Sequence, residues 1–270
     1  MQSLDSAMID GAEARRAMAY ADGFGEPGLC DPQRLFIAQR YDGYSAENHA
    51  SWRALYEGQI ERLEKRAAGA FLSGMQRIAL QRDAIPRLDE INRRLEPATG
   101  WRSCAVPGYL PAHAFFACLG QRLFPTTIVI RPADSLGYLP QPDIFHDVFG
   151  HVPLHADPFF ADFLQLYGQV ASSTRDPAHV ERLARLFWYT VEFGLVEEAA
   201  GLRLYGSGLI SSPSEAEHAL SAESVVRLPF DLEAVCESPF EIDRFQPLLF
   251  VVEDFAQLRA AMQDYARRLR

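Results

Sequence analysis

The nine residues from Asp143 to His151, DIFHDVFGH, constrain this chain more than any other stretch. They gather two imidazoles and two carboxylates into one short run. Divalent metals favour neutral imidazole nitrogen and charged oxygen, so this composition suits a metal site. The histidines His146 and His151 are spaced H-x4-H. Zinc proteases instead use H-E-x-x-H, which stacks both rings on one face of an α-helix. Five residues of ideal α-helix rotate the second side chain ~140° away from the first. The spacing therefore predicts a short helix over 142–149 that carries His146 and stops before His151. Gly150 is expected in the left-handed conformation that ends a helix, turning His151 back toward His146. Pro153 keeps the helix from resuming. The competing reading is two ordinary polar residues near a helix end.

A third ligand comes from AHVERLARLFWYTVEFGLV, which reads as a helix over 178–195. Val180, Leu183, Ala184, Phe187, Trp188 and Val191 share one face at i, i+3, i+4 spacing. Glu192 extends that stripe, four residues after Trp188. A carboxylate on an apolar stripe is costly unless it is paired or binds a metal. Arg182 and Arg185 are the alternative partners. Two histidines and one carboxylate form the facial triad of non-heme iron oxygenases, with three coordination positions left open. A zinc hydrolase with the same ligands is the competing class, with Asp147 or Asp143 as its general base. A metal-binding regulator without turnover is a third.

The rest of the chain supplies the frame. With 270 residues and 48% hydrophobic content it can bury a sizeable core. A net charge of −10 argues against nucleic acid and anionic lipid as partners. The four cysteines are scattered, with no C-x-x-C, as in a reduced cytoplasmic protein. No leader-type run is present, and no apolar stretch reaches the roughly 20 residues that span a bilayer. A short helix is expected over Ala12–Ala21, then a Gly/Pro-rich connector; together these make an arm laid on the domain or a partly disordered lead. Ser45 caps a helix whose core face is Trp52, Leu55, Tyr56, Ile60 and Leu63. Further helices are expected over 68–80, from Pro86 to about Pro97 and Gly100, around Phe115 and Phe116, over 158–172 and from Phe255 to Tyr265. Leu123–Arg131 is the clearest strand, β-branched and ending in a charged head. Leu202–Ile210 and Ser224–Leu228 are shorter candidates. The sum is a mainly α domain with a small β component. Phe115, Tyr138, Phe187, Trp188 and Phe193 suit a cleft for flat rings.

The runs PDIFHDVFGHVPL, FWYTVEFGL and YGSGLISSPSE occur in that order. Together they resemble the pterin-dependent aromatic amino acid hydroxylases, in particular their short bacterial members that act on phenylalanine. The resemblance covers about Tyr41 to Phe255, and the first thirty or so residues match poorly. It implies the catalytic-domain fold of that family, a basket of helices with iron at the bottom of a cleft. It implies one catalytic domain over 41–270, an N-terminal arm over 1–40, and a monomer. It also implies Fe(II) on His146, His151 and Glu192, with tetrahydropterin and O2 as co-substrates. The reaction is then para-hydroxylation of L-phenylalanine to L-tyrosine, with tryptophan or tyrosine as alternative substrates. Arg131 matches the arginine that grips the substrate carboxylate, and Tyr138 and Trp188 fall at the substrate. Ser211 and Ser212 match the loop at the amino-acid end, and Ser211 also suits a hydrogen bond to a ligand histidine. Gly108, Tyr109 and Leu110 match the loop that reads the pterin edge. Phe115 matches the ring that stacks on the pterin, and Asp147 an acidic position beside it. Two positions depart from the pattern. Leu139 stands where some members have a hydroxyl residue, and Phe187 where others have tyrosine.

Overall fold

A computed structural model describes residues 8–137 and 142–269. Helix α1 (Gly11–Asp22) starts at Asp10, whose carboxylate accepts from the amides of Ala12 and Glu13. Helix α2 (Ala46–Arg66) opens on a capping box formed by Ser45 and Asn48. Helices α3 (Gly69–Arg77) and α4 (Leu88–Thr99) follow. α4 buries Leu88, Ile91 and Leu95 and ends at Gly100, which takes the left-handed φ of 78°. Strand β1 (Arg102–Val106), helix α5 (Ala112–Leu119) and strand β2 (Leu123–Thr127) make a parallel pair with a helical crossover. Arg102 pairs with Leu123 and Val106 with Thr127.

A π turn (Phe145–His151) and a 3-10 turn (Val152–Ala156) lead into α6 (Pro158–Ser173). Next come α7 (Pro177–Phe187) and a second π turn (Trp188–Glu192). The chain continues through β3 (Leu195–Glu198), β4 (Gly201–Leu204), α8 (Ser207–Ser211) and α9 (Pro213–Ser221). It closes with β5 (Val226–Pro229), α10 (Leu232–Glu237), β6 (Leu248–Val252) and α11 (Phe255–Arg268). Four strands form a sheet in the order β4-β3-β6-β5, where only β3 and β4 are antiparallel. The architecture is mainly helical with two small sheets. α6 packs between α5 and α11, and its Phe160, Phe163, Leu164 and Tyr167 are buried in the core. No helix among the described residues is long and apolar enough to cross a membrane.

Several elements differ from the sequence expectations, each for a physical reason. The helix expected over 142–149 is instead the π turn over 145–151, and Gly150 is not left-handed. The strand expected to reach Arg131 is paired only to Thr127, because its partner β1 runs into Pro107, which has no amide to donate. Residues 128–131 run on without a ladder; Ile128 O accepts from Tyr44 Oη and Val129 O from the Ile144 amide. The helix expected over 178–195 stays α-helical only to Phe187. There the Thr190 hydroxyl donates to Leu186 O, four residues back, a bond that bends helices. The Phe193 amide then reaches Trp188 O, five back. The core face of this segment is Leu183, Leu186, Tyr189, Thr190 and Val191, so Leu183 and Val191 of the expected stripe are buried; Val180 is exposed and Ala184, Phe187, Trp188 and Glu192 are half-buried. The strand expected over 202–210 stops at Leu204, and 207–211 is helix.

Candidate active site

The π turn solves the H-x4-H spacing directly. A π turn bonds i to i+5, so residues five apart come onto one face. His146 and His151 are five apart, and their Nε2 atoms lie 3.2 Å from each other. The opposite face is aromatic. Phe145 and Phe149 stack on each other with centroids 4.5 Å apart, and they meet Trp52 and Tyr56 of α2 edge-on. Phe71 of α3 also packs on Phe149. Buried phenylalanines thus anchor the turn while the histidines face away from them.

Glu192, at the end of the second π turn, closes the triangle. Its Oε1 lies 3.3 Å from His151 Nε2, and its Oε2 lies 3.6 Å from His146 Nε2. Ligand bonds of ~2.1 Å put neighbouring donor atoms ~3.0 Å apart at right angles and ~3.4 Å apart in a tetrahedron. The three separations lie close to that range, so one divalent ion fits between these atoms. They form the one cluster of this kind among the described residues. Protonation favours the same outcome. Burial pushes the His146 pKa down to about 4, against the pull of Glu192, so the ring is a neutral donor at pH 7. Burial alone would raise Glu192, but His151, His146 and the Ser207 hydroxyl hold it down at about 2.

Hydrogen bonds orient the ligands from behind. Ser211 Oγ sits 2.9 Å from His146 Nδ1, and a ring that ligates through Nε2 donates its Nδ1–H there. The Ser207 hydroxyl donates to Glu192 Oε2 at 2.7 Å. Sequence reasoning missed Ser207. The available signal was its position four residues before Ser211, one helical turn away.

Arg131 is not a free cation. Its Nε and Nη2 donate to Asp143 Oδ2 and Oδ1 at 2.8 and 2.9 Å, and both side chains are buried. Nη1 donates to Leu136 O at 3.3 Å. Asp143 also accepts from the amides of Arg131 and His146, each at 3.0 Å. It therefore ties the Arg131 strand to the start of the π turn, and both its oxygens are engaged. Asp147 is buried, and its Oδ2 accepts from the Thr127 amide at 2.7 Å and from the Thr127 hydroxyl. Burial, opposed by His151 and Thr127, lifts Asp147 to about 7.

The other expected site residues divide into groups. Phe115 packs edge-on against Phe116, Phe124 and Phe187. Phe124 in turn sits 5.0 Å from the His151 ring, a neighbour that sequence reasoning did not single out. Trp188 stacks on Phe240 at 4.5 Å, leans on Phe193 and donates from Nε1 to Gln246. Gly108, Tyr109 and Leu110 form the loop between β1 and α5; Tyr109 is 73% exposed and Leu110 is buried. Ser212 begins α9 and accepts from the Glu215 amide. Tyr138 and Leu139 lie outside the described residues.

Fold and triad together define a mononuclear metal enzyme with two histidines, one carboxylate and an aromatic surround. Comparison with known proteins names the family. The model of the biopterin-dependent aromatic amino acid hydroxylases matches residues 40–270, and the chain belongs to that family. The phenylalanine-4-hydroxylase of Chromobacterium violaceum is 44% identical over 202 residues, covering 75% of this chain and 68% of that one. Its counterpart from Ralstonia nicotianae is 47% identical over 189 residues, covering 70% of this chain and 60% of the relative. A crystal structure of the C. violaceum enzyme with bound iron(III) and 7,8-dihydrobiopterin superposes with a TM-score of 0.84 at 40% identity. That match covers 94% of this chain and 91% of the other.

Proposed function

We propose that this protein is a phenylalanine 4-monooxygenase, which hydroxylates L-phenylalanine at the para carbon to give L-tyrosine. The observation that carries the reading is the convergence of His146, His151 and Glu192 on one point in a chain of this family. The two relatives above, both called phenylalanine-4-hydroxylase, support phenylalanine as substrate. Iron and tetrahydropterin, when bound, supply the redox chemistry that activates O2; the protein supplies placement and exclusion of water. In this reading His146, His151 and Glu192 hold Fe(II). The π-turn phenylalanines keep the two rings in register, and Ser211 fixes the His146 tautomer. Arg131 reaches the substrate carboxylate with the Nη1 and Nη2 hydrogens that Leu136 O and Asp143 leave free. Trp188 borders the substrate ring. Phe115 offers its face to the pterin, the backbone of Gly108, Tyr109 and Leu110 lies along the pterin edge, and Asp147 stands beside it. Residues 41–270 form the catalytic domain and 1–40 the arm, in a cytoplasmic monomer.

A metallohydrolase is disfavoured by the family match over residues 40–270; of its two candidate bases, Asp143 has both oxygens engaged, whereas Asp147 uses only Oδ2. Tyrosine as substrate is supported by tyrosine 3-monooxygenases of rat and dog, 38% and 37% identical over 188 residues each, less similar than the phenylalanine-4-hydroxylases above. The test is an assay of the Fe(II)-loaded protein with tetrahydropterin and each aromatic amino acid. Tyrosine formed from phenylalanine is the expected product. Hydroxylation of tyrosine or tryptophan alone would move the protein to another branch of the family, and no product at all would sink the reading.

A further inference from the structure

The carboxylate ligand is held from behind as firmly as the histidine. Ser207 and Ser211 lie four residues apart on α8, so one helical turn presents one hydroxyl to Glu192 and another to His146. We infer that Ser207 is a positioning residue for the metal centre: its hydroxyl holds Glu192 Oε2 and so fixes the carboxylate in the orientation that faces His146 and His151. This role rests on the triad reading given above.

Three observations carry it. First, Ser207 is 1% exposed and its Oγ donates to Oε2 at 2.7 Å. Hydrogen bonds to an ionised acceptor are the stronger kind. Second, the chain is built to bring that hydroxyl in. A Cβ at Gly206 would sit 2.4 Å from Glu192 O and from the Gly194 amide nitrogen. Only glycine permits so close an approach of this backbone to the Glu192 segment. Third, Ser207 is braced from the other side. A Cβ at Gly150, in the first π turn, would meet Ser207 O at 3.1 Å and Ser207 Cβ at 3.2 Å. Ser207 is thus wedged between the two π turns that carry the ligands, with little room to turn away.

The consequence is a matter of orientation. A carboxylate with nothing behind it can swing about its last torsion and meet a divalent ion with one oxygen or with both. A donor fixed on Oε2 opposes that rotation and holds the arrangement that the triad needs.

The test compares the metal-free wild type with Ser207→Ala, titrated with Co(II) and read by its visible absorption, with no turnover needed. The substitution removes one oxygen and adds no atom, so the melting temperature of the metal-free protein serves as a folding control. Wild type is expected to bind one Co(II). Ser207→Ala is expected to bind it about 10-fold more weakly, the lower end for loss of a group behind a ligand. Its absorption bands are expected to differ from wild type, because the carboxylate is released to turn on its last torsion. An unchanged spectrum overturns the role, whether or not affinity falls. Failure of the wild type to take up one Co(II) overturns the triad itself and this role with it.

Discussion

Arg131 illustrates how a side chain's partners change what its removal should do. As a carboxylate clamp, its loss should raise the phenylalanine KM about 10- to 150-fold, the equivalent of ~1.5–3 kcal/mol. It also neutralises Asp143, which is fully buried. Removing one partner of a buried pair strands the other charge, at a cost of about 3–5 kcal/mol. Arg131→Ala should therefore raise KM and lower the melting temperature together. Adding Asp143→Asn removes the stranded charge, so the double variant should regain stability while KM stays high. The check is a melting curve alongside KM values for phenylalanine and for phenethylamine, which lacks the carboxylate. If the double variant regained the wild-type preference for phenylalanine, Arg131 would be a structural arginine only. At this scale the ligand set was legible because two imidazoles and a misplaced carboxylate are costly anywhere but at a metal. The partnership of Arg131 with Asp143 was not, since it joins residues twelve apart through a bend that no periodicity announces. Ser207 was missed for a related reason: its segment read as strand, which put Ser207 and Ser211 out of any helical register.

Among the elements, most helices of the frame were legible, because capping residues and 3.6-residue stripes are local signals. Ser45 with Trp52 to Leu63, Leu88 to Leu95 with Gly100, and Phe255 to Tyr265 lie where those signals point; Pro86 does not open its helix, which starts at Leu88, and Pro97 lies inside it rather than at its end. The two π turns were not legible. Their i to i+5 bonds leave no composition signature and arise from tertiary demands: aromatic anchorage at Phe145 and Phe149, and the Thr190 back-bond. β6 escaped because it pairs for only a few residues with strands distant in sequence, and β3 because the helix read over 178–195 ran into its start, although its antiparallel partner β4 follows directly. The 3-10 turn that follows the first π turn yields its own prediction. His155 is fully buried, stacks on Trp101 at 4.7 Å, and has no protein partner at either ring nitrogen among the described residues. Burial, with a smaller push from His151, drives its pKa well below the ordinary value. The unfolded chain takes up this proton near pH ~6.5 while the folded one does not. Stability is then full above that pH and falls as pH drops, by ~1.4 kcal/mol per unit for each such histidine. His155→Phe keeps the stacking and removes two unpaired polar atoms. It should raise the melting temperature of the metal-free protein and reduce the slope of stability against pH between about 6.5 and 5 by one group's share. Urea denaturation across that range is the measurement; a less stable variant would mean that the ring nitrogens are satisfied in solution.

Residues 8–40 pack on the rest of the molecule in two apolar clusters: Met8, Ile9, Ala14, Ala17 and Ile37 join the main core, and a second cluster lies against α5. Zinc is expected to occupy the triad yet support no hydroxylation, having no accessible redox change; equal turnover by the zinc-loaded, iron-free enzyme would refute an oxygenase. The second prediction at this scale concerns the arm. Tyr20, Ala21, Phe24 and Leu35 are buried against Val106, Leu110, Ala114, Cys118 and Leu123, with Phe115 packed at the edge of the same cluster. Across the boundary the Ile37 amide donates to Ala105 O at 2.9 Å, and the Leu88 amide donates to Gln39 Oε1 at 2.9 Å. Burying one large apolar side chain is worth roughly 1.5–3 kcal/mol and a hydrogen bond about 0.5–1.5 kcal/mol, so three such residues carry more than those two bonds. Removing residues 1–40 would uncover α5 and the loop of Gly108, Tyr109 and Leu110 at once. Those are the segments assigned to the pterin, whereas His146, His151 and Glu192 are held by α2, α3 and α8 on contacts the deletion leaves in place. The truncated protein should therefore melt at a lower temperature and show a raised KM for tetrahydropterin, yet still bind one Co(II). Phe24→Ala should reproduce the KM effect in milder form without shortening the chain. A truncation that lost the metal while keeping the wild-type pterin KM would place the arm's influence at the triad, contrary to this layering.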